Sequence, residues 1–280
     1  MDIHSFIKAA LQEDLGHGDH TSLSTISAST TGKARLLVKD DGIIAGIDLA
    51  ESIFSHVDES VVFKKILDDG ETIKKGDIAF TVEGSIRSIL ISERLVLNCM
   101  QRMSGIATTT RKYVDLVQGT GAKVMDTRKT TPLMRAFEKW AVTKGGGHNH
   151  RFGLYDMILI KDNHVDSCGG IKEALMKARN YVEKNQLDLP IEIETRSMED
   201  IEAALATGIP NRIMFDNFTV EQTFKAVQLV GGKTETESSG GINLTNIRAY
   251  AETGVNCISV GALTHSVKSL DLSLKIFDGA

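Results

Sequence analysis

Two hydrophobic periodicities divide the chain. Over residues 3–12, Ile3, Phe6, Ile7, Ala10 and Leu11 fall on one helical face, with Asp2 placed to cap it. Between 32 and 84 the runs GKARLLVKD, VVFKKIL and IAFTVEG alternate as strands do. GIIAG is a turn or short strand, and the helical pattern of IDLAESIFSHV sits between the strands. This region reads as a small α/β layer domain. DDGETIKKGD, which joins the last two strands, resembles a lipoyl or biotinyl hairpin but lacks the Met/Ala-Lys setting of a carrier lysine. Residues 86–118 predict one or two long helices, with Ile89, Leu90, Leu95, Val96, Leu97 and Met100 as the apolar set. A bend is expected at SGIATTT (104–110), because a glycine such as Gly105 costs about 1 kcal/mol inside a helix.

From residue 121 the period changes. Short β-rich runs (KVMDT, MILIK, IEIET, RIMFD, TETES and CISVG) alternate with helical ones. Such alternation means parallel strands with helical crossovers, in either a doubly wound sheet or a barrel. No GxGxxG follows the first strand, which removes the main support for a dinucleotide-binding unit. Polar or glycine residues recur where the strands end: Asp126, Lys161, Glu194, Asp216, Ser239 and Gly261. In a barrel these ends share one mouth, where active sites lie. A complete barrel takes about 250 residues and only about 150 remain, so an open or incomplete barrel is expected.

Composition narrows the function. At 280 residues with 41% hydrophobic and 25% charged positions, the chain is an ordinary globular one. A net charge of −5 argues against general nucleic-acid binding. Cys99, Cys168 and Cys257 are far apart and form no CxxC, so neither a zinc site nor a disulfide framework is expected. The N-terminal segment carries acids and no apolar core, so no signal peptide and a cytoplasmic location are expected. Against this acidic background stands a basic island. From Lys123 to Lys161 there are eight Lys/Arg and three acids, which suggests a focused anion site. A solvated helix face accounts for Arg135, Lys139 and Lys144. It does not suit Arg128, Lys129, Arg151 and Lys161, which stand at strand ends and in loops.

Five pieces would converge at a barrel mouth. Arg128-Lys129-Thr130-Thr131 follows the first strand; arginine forks onto carboxylate or phosphate, and lysine is a point charge. GGGHNHR (145–151) is a flexible loop delivering His150 and Arg151. Lys161 ends an apolar strand. Glu194 and Asp216 each close a strand and suit a ribose hydroxyl or a hydrated Mg²⁺. SSGGI (238–242) and SVGAL (259–263) are glycine-bearing loops of the kind that cradle phosphate. Together they describe a site for a ligand with carboxylates and several phosphates. His17 and His20 flank Asp19, where capping and turn formation explain the residues as well as a metal would.

These residues carry a family resemblance. DTRKTTP (126–132), EKWAVTKGGGHNHRFGL (138–154), IKDNH (160–164), DNF (216–218), SGGI (239–242) and VGALTHS (260–266) resemble quinolinate phosphoribosyltransferase. EDLGHGDHT (13–21) and ERLVLN with SGIAT (93–108) are similar too. One departure is visible: the family usually has glycine after the TTP proline, where this chain has Leu133 and Met134. The resemblance implies a type II phosphoribosyltransferase fold, an N-terminal α/β sandwich plus an open, seven-stranded α/β barrel. It places the domains at 1–110, joined by 266–280, and at 111–265. It implies a decarboxylating pentosyltransferase of de novo NAD biosynthesis, taking quinolinate and phosphoribosyl pyrophosphate (PRPP) to nicotinate mononucleotide, pyrophosphate and CO₂.

By matching positions, Arg128, Lys129, Thr130, His150, Arg151 and Lys161 would surround quinolinate. Arg94 would reach in from the neighbouring subunit of a homodimer. Lys129, Lys161, Glu194, Asp216, Ser239, Gly240, Gly241, Gly261 and His265 would hold PRPP. Glu194 and Asp216 would also hold Mg²⁺, directly or through water, and the catalytic set would be Lys129, Lys161, Glu194 and Asp216. Three rivals are weighed beside this. One is a relative of the same fold acting on another acceptor, such as nicotinate, or a relative associated with molybdenum transport. The second is a Schiff-base aldolase with Lys161 as nucleophile. The third is a non-catalytic sensor of a phosphate ligand.

Overall fold

The computed structural model describes residues 2–277. In chain order its first elements are α1 (Ile3–Leu15), α2 (His20–Thr25), β1 (Thr31–Val38), β2 (Gly42–Ile43), α3 (Ile47–Val57), β3 (Val62–Lys65), β4 (Thr72–Ile73), β5 (Ile78–Ser85) and α4 (Ile86–Val117). There follow β6 (Lys123–Met125), α5 (Arg135–Lys144), β7 (Ile158–Ile160), α6 (Asp162–Cys168), α7 (Ile171–Lys184), β8 (Ile191–Thr195), α8 (Met198–Thr207) and β9 (Arg212–Asp216). The last are α9 (Val220–Val230), β10 (Glu235–Ser239), α10 (Ile247–Ala251), β11 (Cys257–Ser259), α11 (Ala262–His265) and β12 (Leu272–Phe277). The chain divides into two compact units, one of Met1–Arg111, Thr131–Gly146 and Ser266–Ala280, the other of Lys112–Thr130 and Gly147–His265. No helix among the described residues is long and apolar enough to cross a membrane.

The first unit is built on an antiparallel sheet in the order β12-β1-β5-β3. Alternation in β1 buries Ala34, Leu36 and Val38. The ring centroid of Phe80 lies 4.5 Å from that of Phe63 and 6.0 Å from that of Phe54. Burying Phe54 or Phe80 contributes about 1.5–3 kcal/mol each. Asp2 caps α1 by accepting the Ser5 N–H at 2.9 Å, and Asp19 caps α2 through the Ser22 N–H at 3.1 Å. Asp19 is thus a helix cap.

The bend expected at SGIATTT does not occur: α4 runs unbroken for 32 residues. A Cβ on Gly105 would lie 2.3 Å from the Lys268 carbonyl oxygen. Glycine stands there so that the segment leading into β12 can pass against the helix.

The stretch 131–146, assigned by sequence to the barrel, packs in the first unit. Glu138 is fully buried and accepts from Arg102 Nε at 2.7 Å and from the Thr131 N–H at 3.2 Å. The Phe137 ring lies 4.5 Å from that of Phe6. A Cβ on Gly145 would stand 2.4 Å from the Ala107 carbonyl oxygen. Lys139 is not on a solvated face either, being 2% exposed. Of the C-terminal segment 266–280, residues 278–280 lie outside the described residues.

The second unit is the open α/β barrel. Its parallel strands run β6-β11-β10-β9-β8-β7. Every residue of β8 is buried, as expected of a strand covered on both faces. The resemblance implied seven strands, and the structure has six plus one remnant. His148 makes a lone parallel bridge to Met125, donating its N–H to the Val124 carbonyl at 2.8 Å. GGGHNHR therefore contributes a strand shortened to one bridge, beside the opening of the barrel. Its glycines and polar residues give no hydrophobic run from which a strand would be read.

Candidate active site

A cavity of about 860 Å³ opens at the C-terminal ends of these strands, and every residue lining it belongs to the second unit. The basic island splits here. Arg128, Lys129, Arg151 and Lys161 line the cavity, while Arg135, Lys139 and Lys144 belong to α5 in the first unit. His150 lines it with the four cations, as do Glu194, Asp216, Ser239, Gly240, Gly241, Gly261 and His265. Two anticipated residues do not. Thr130 donates its N–H to the Arg128 carbonyl at 2.9 Å, away from the lining. Arg94 is exposed on α4, in the first unit.

At one end of the cavity two guanidiniums stand together. Arg151 is held below its usual range by burial first and by the charge of Arg128 second. Arg128 Nε is buried and has no hydrogen-bond partner. A buried donor without a partner costs about 1–3 kcal/mol, and the two cations repel, so an anion bound here would relieve both. Local structure holds this end in place. Lys129 donates its N–H to Thr127 Oγ1 at 3.0 Å, and Thr264 donates its hydroxyl to the Lys129 carbonyl at 2.8 Å. Asp156 closes the Arg151 loop by accepting the N–H groups of Phe152 at 2.6 Å and Gly153 at 2.9 Å.

The other end is built from carboxylates and glycine turns. Lys161 Nζ sits 2.7 Å from Glu194 Oε2, and Asn217 Nδ2 donates to Asp216 Oδ2 at 2.8 Å. Asn217 adopts a left-handed φ of 57°, and Gly240 beside it has φ 95°. A Cβ on Gly240 would lie 2.2 Å from Asn217 Oδ1. On Gly261 it would meet Lys129 Cδ at 3.0 Å and His265 Nε2 at 3.1 Å. Backbone can approach a ligand closely at these turns because no side chain intervenes. An ammonium already paired with Glu194 is a poor amine nucleophile, which removes the ground for a Schiff-base reading of Lys161.

At the floor of the cavity, which His150 and Glu237 line, is a cluster whose other members the sequence reading missed. His150 Nε2 faces Glu192 Oε2 at 3.1 Å and Glu237 Oε2 at 3.5 Å, and Arg212 Nη1 donates to Glu237 Oε2 at 3.0 Å. Glu192 and Glu237 are fully buried. Burial disfavours a charged imidazole, but the two carboxylates outweigh it and hold His150 up to about 9. Burial, with Glu237 alongside, pushes Glu192 up. On Glu237 burial acts the same way, yet His150 and Arg212 outweigh it and hold that carboxyl below its usual range. The Arg151 N–H donates to His150 Nδ1 at 2.7 Å, which requires a lone pair there. Nε2, facing the two carboxylates, is therefore the protonated nitrogen, and Nδ1 is the one turned to the Arg151 N–H. Asp126, taken from sequence as a strand-end polar group, is fully buried and accepts the His150 N–H at 2.9 Å. The available signal was the alternation I-E-I-E-T, which puts Glu192 on the same face as Glu194.

Residues 106–275 match the family described as quinolinate phosphoribosyl transferase, C-terminal domain, and residues 19–104 match its N-terminal domain. The chain is 44% identical over 290 residues to quinolinate phosphoribosyltransferase (decarboxylating) 2b, mitochondrial, of Nicotiana tabacum, across 98% of this chain and 82% of that one. It is 45% identical over 267 residues to the probable nicotinate-nucleotide pyrophosphorylase (carboxylating) of Bacillus subtilis, across 94% and 90% of the two chains. The crystal structure of NadC from Streptococcus pyogenes superposes with a TM-score of 0.93 at 38% identity, across 99% of this chain and 97% of that one. Matched along nearly its whole length in both sequence and fold, the chain belongs to the quinolinate phosphoribosyltransferase family.

Proposed function

We propose that this chain transfers the phosphoribosyl group of PRPP to the ring nitrogen of quinolinate, releasing pyrophosphate and CO₂ and leaving nicotinate mononucleotide, a step of NAD biosynthesis. The observation that carries the reading is the Arg128–Arg151 pair, with its buried and unpartnered Arg128 Nε, at one end of the cavity. Two neighbouring guanidiniums suit an acceptor with two adjacent carboxylates better than one with a single carboxylate. The glycine turns and the Glu194–Asp216 pair at the other end suit the donor.

The reaction follows from charge. Cleavage of the C1–pyrophosphate bond builds positive charge on the ribose and negative charge on the leaving group. Lys129 and the backbone at Gly240, Gly241 and Gly261 meet the leaving group, while Glu194 and Asp216 orient the sugar. Lys161, tied to Glu194 at 2.7 Å, links the acceptor and donor ends. Once the ring nitrogen carries ribose, its positive charge stabilises the carbanion left on the adjacent ring carbon as CO₂ departs, and a proton then takes the place of the lost carboxylate. Holding both substrates in register supplies much of the acceleration.

Glu194 and Asp216 offer oxygen donors lining an open cavity, which fits a largely hydrated Mg²⁺. When bound, it supplies charge to the pyrophosphate. The active unit of this reading is a homodimer in which Arg94, exposed on α4, completes the partner's acceptor end. The cytosol is its proposed compartment, in keeping with three free cysteines.

The test is CO₂ release from carboxyl-labelled quinolinate, with PRPP and Mg²⁺, each omitted in turn. Release that needs all three, with nicotinate mononucleotide formed, is the expected result. Turnover with nicotinate instead would refute the acceptor assignment. A mixture of Arg94→Ala and Arg151→Ala chains should regain activity that neither has alone. No recovery would remove Arg94 from the shared site.

A further inference from the structure

The buried cluster at the floor of the cavity has a role that the reaction itself does not assign. Its members come from three neighbouring strands. Glu192 of β8 pairs in register with Arg212 of β9, and Glu237 of β10 pairs with Met214. Side chains two residues apart in a strand share a face, so Glu192 lies one layer below Glu194, and Glu237 one layer below Ser239. The cavity residues thus stand on a second, buried layer of charge. That layer is costly. Both oxygens of Glu192 and Oε1 of Glu237 are buried without a well-directed hydrogen bond.

What these groups hold is His150. An imidazole nitrogen facing two carboxylates must carry a proton, so Nε2 is the protonated nitrogen and Nδ1 is left as an acceptor. Nδ1 takes the Arg151 N–H at 2.7 Å, and Asp126 takes the His150 N–H at 2.9 Å. Ring and backbone are therefore pinned together, and Arg151 is the next residue along.

The cluster also has the make-up of a cation site, since His150, Glu192 and Glu237 present ligand atoms within 4.8 Å of one another. Arg212 argues against that. Its guanidinium already occupies Glu237 Oε2 at 3.0 Å and stands 3.8 Å from Glu192 Oε2, so a divalent ion would share oxygens with a fixed cation.

We propose that Glu192, Glu237 and Arg212 are positioning residues that fix the tautomer and orientation of His150, and through it aim Arg151 at the acceptor carboxylates. They thereby set affinity for the acceptor and not for the phosphoribosyl donor. This rests on the transfer reaction proposed above. Turnover of the wild-type chain tests that reaction; the split between the two KM values tests the positioning, so the two failures are distinguishable.

The experiment uses the full chain with Glu237→Gln and Glu192→Gln, measuring KM for quinolinate and for PRPP separately. The expected result is a rise of tenfold or more in KM for quinolinate, with KM for PRPP within twofold of wild type. Glu237→Asp should recover part of the loss. Equal changes in both KM values, or none, would overturn the proposal. Should a variant fail to fold, ¹⁵N NMR of histidine-labelled wild-type chain decides. His150 should show a protonated Nε2 at neutral pH, and a ring protonated on Nδ1 alone overturns the idea. A stoichiometric divalent metal in the purified chain, lost in Glu237→Gln, would overturn it in favour of a metal centre.

Discussion

Gly240 offers a direct test of how the donor end is built. Replacing it with alanine has two separable effects. The first is conformational: a φ of 95° is far from where an L-residue rests, and left-handed backbone costs about 1–2 kcal/mol for a residue with a Cβ. The second is steric. The new methyl would lie 2.2 Å from Asn217 Oδ1 and 3.0 Å from the Asn217 backbone nitrogen, so the Asn217 side chain must leave. In leaving it gives up its hydrogen bond to Asp216 Oδ2, a charged contact of about 1.5–3 kcal/mol. Together these come to about 2.5–5 kcal/mol, falling on the orientation of Asp216 and on the turn itself. A control lies next door. Gly241 has φ 63° but nothing within 4 Å of its would-be Cβ, so Gly241→Ala carries only the backbone strain. The assay is kcat/KM for PRPP, paired with the thermal midpoint of each variant. Gly240→Ala should lose at least tenfold more in kcat/KM than Gly241→Ala, since about 1.4 kcal/mol is tenfold in rate. Equal losses in the two variants would refute the argument that Asn217 and Gly240 jointly hold Asp216.

Leu133 sits at φ 64° and is 70% exposed, so Leu133→Gly relieves strain and should raise stability by up to about 1 kcal/mol; a fall in the denaturation midpoint would contradict this. His150 is held up to about 9 against an ordinary value of 6.5. The folded chain therefore keeps a proton on His150 that the unfolded chain releases. Its contribution to stability is present in full below pH 6.5 and is lost as the pH climbs towards 9. Denaturation midpoints across that range should fall in the wild type and flatten in His150→Gln. Burial pushes the thiols of Cys99 and Cys257 up to about 12, so brief iodoacetamide treatment of the native chain at pH 8 should label Cys168 alone, read by peptide mass spectrometry.

The sequence disclosed what depends on local pattern. Most of the barrel strands were legible because they are short apolar runs between helical ones, whereas β10, read as TETES, has no apolar residue and was placed by the β–α alternation alone. The strand ends were legible because their polar residues interrupt those runs, and Lys161, Glu194, Asp216 and Ser239 do line one cavity. Contacts between distant segments were not legible. Gly105 looked like a helix breaker because propensity is a local quantity, and what it accommodates is the Lys268 carbonyl, far along the chain. Residues 131–146 looked like part of the barrel because they follow its first strand. The burial of Glu138 against Arg102, which ties them elsewhere, leaves no mark in a periodicity.

The buried charges show the same limit from the other side. A glutamate in an apolar strand reads as a strand end or a turn, because acids are seldom buried without a partner. In β8 two glutamates alternate with isoleucines, and both are buried: Glu194 beside Lys161 at the cavity, Glu192 beneath it facing His150. What distinguishes them is the layer each occupies, and that is set by pairing with β9 and β10. Glu237 does both: it pairs with Arg212 of the neighbouring strand and also lines the cavity, below Ser239. The layer below the mouth of this barrel therefore belongs with the site as much as the residues that line it.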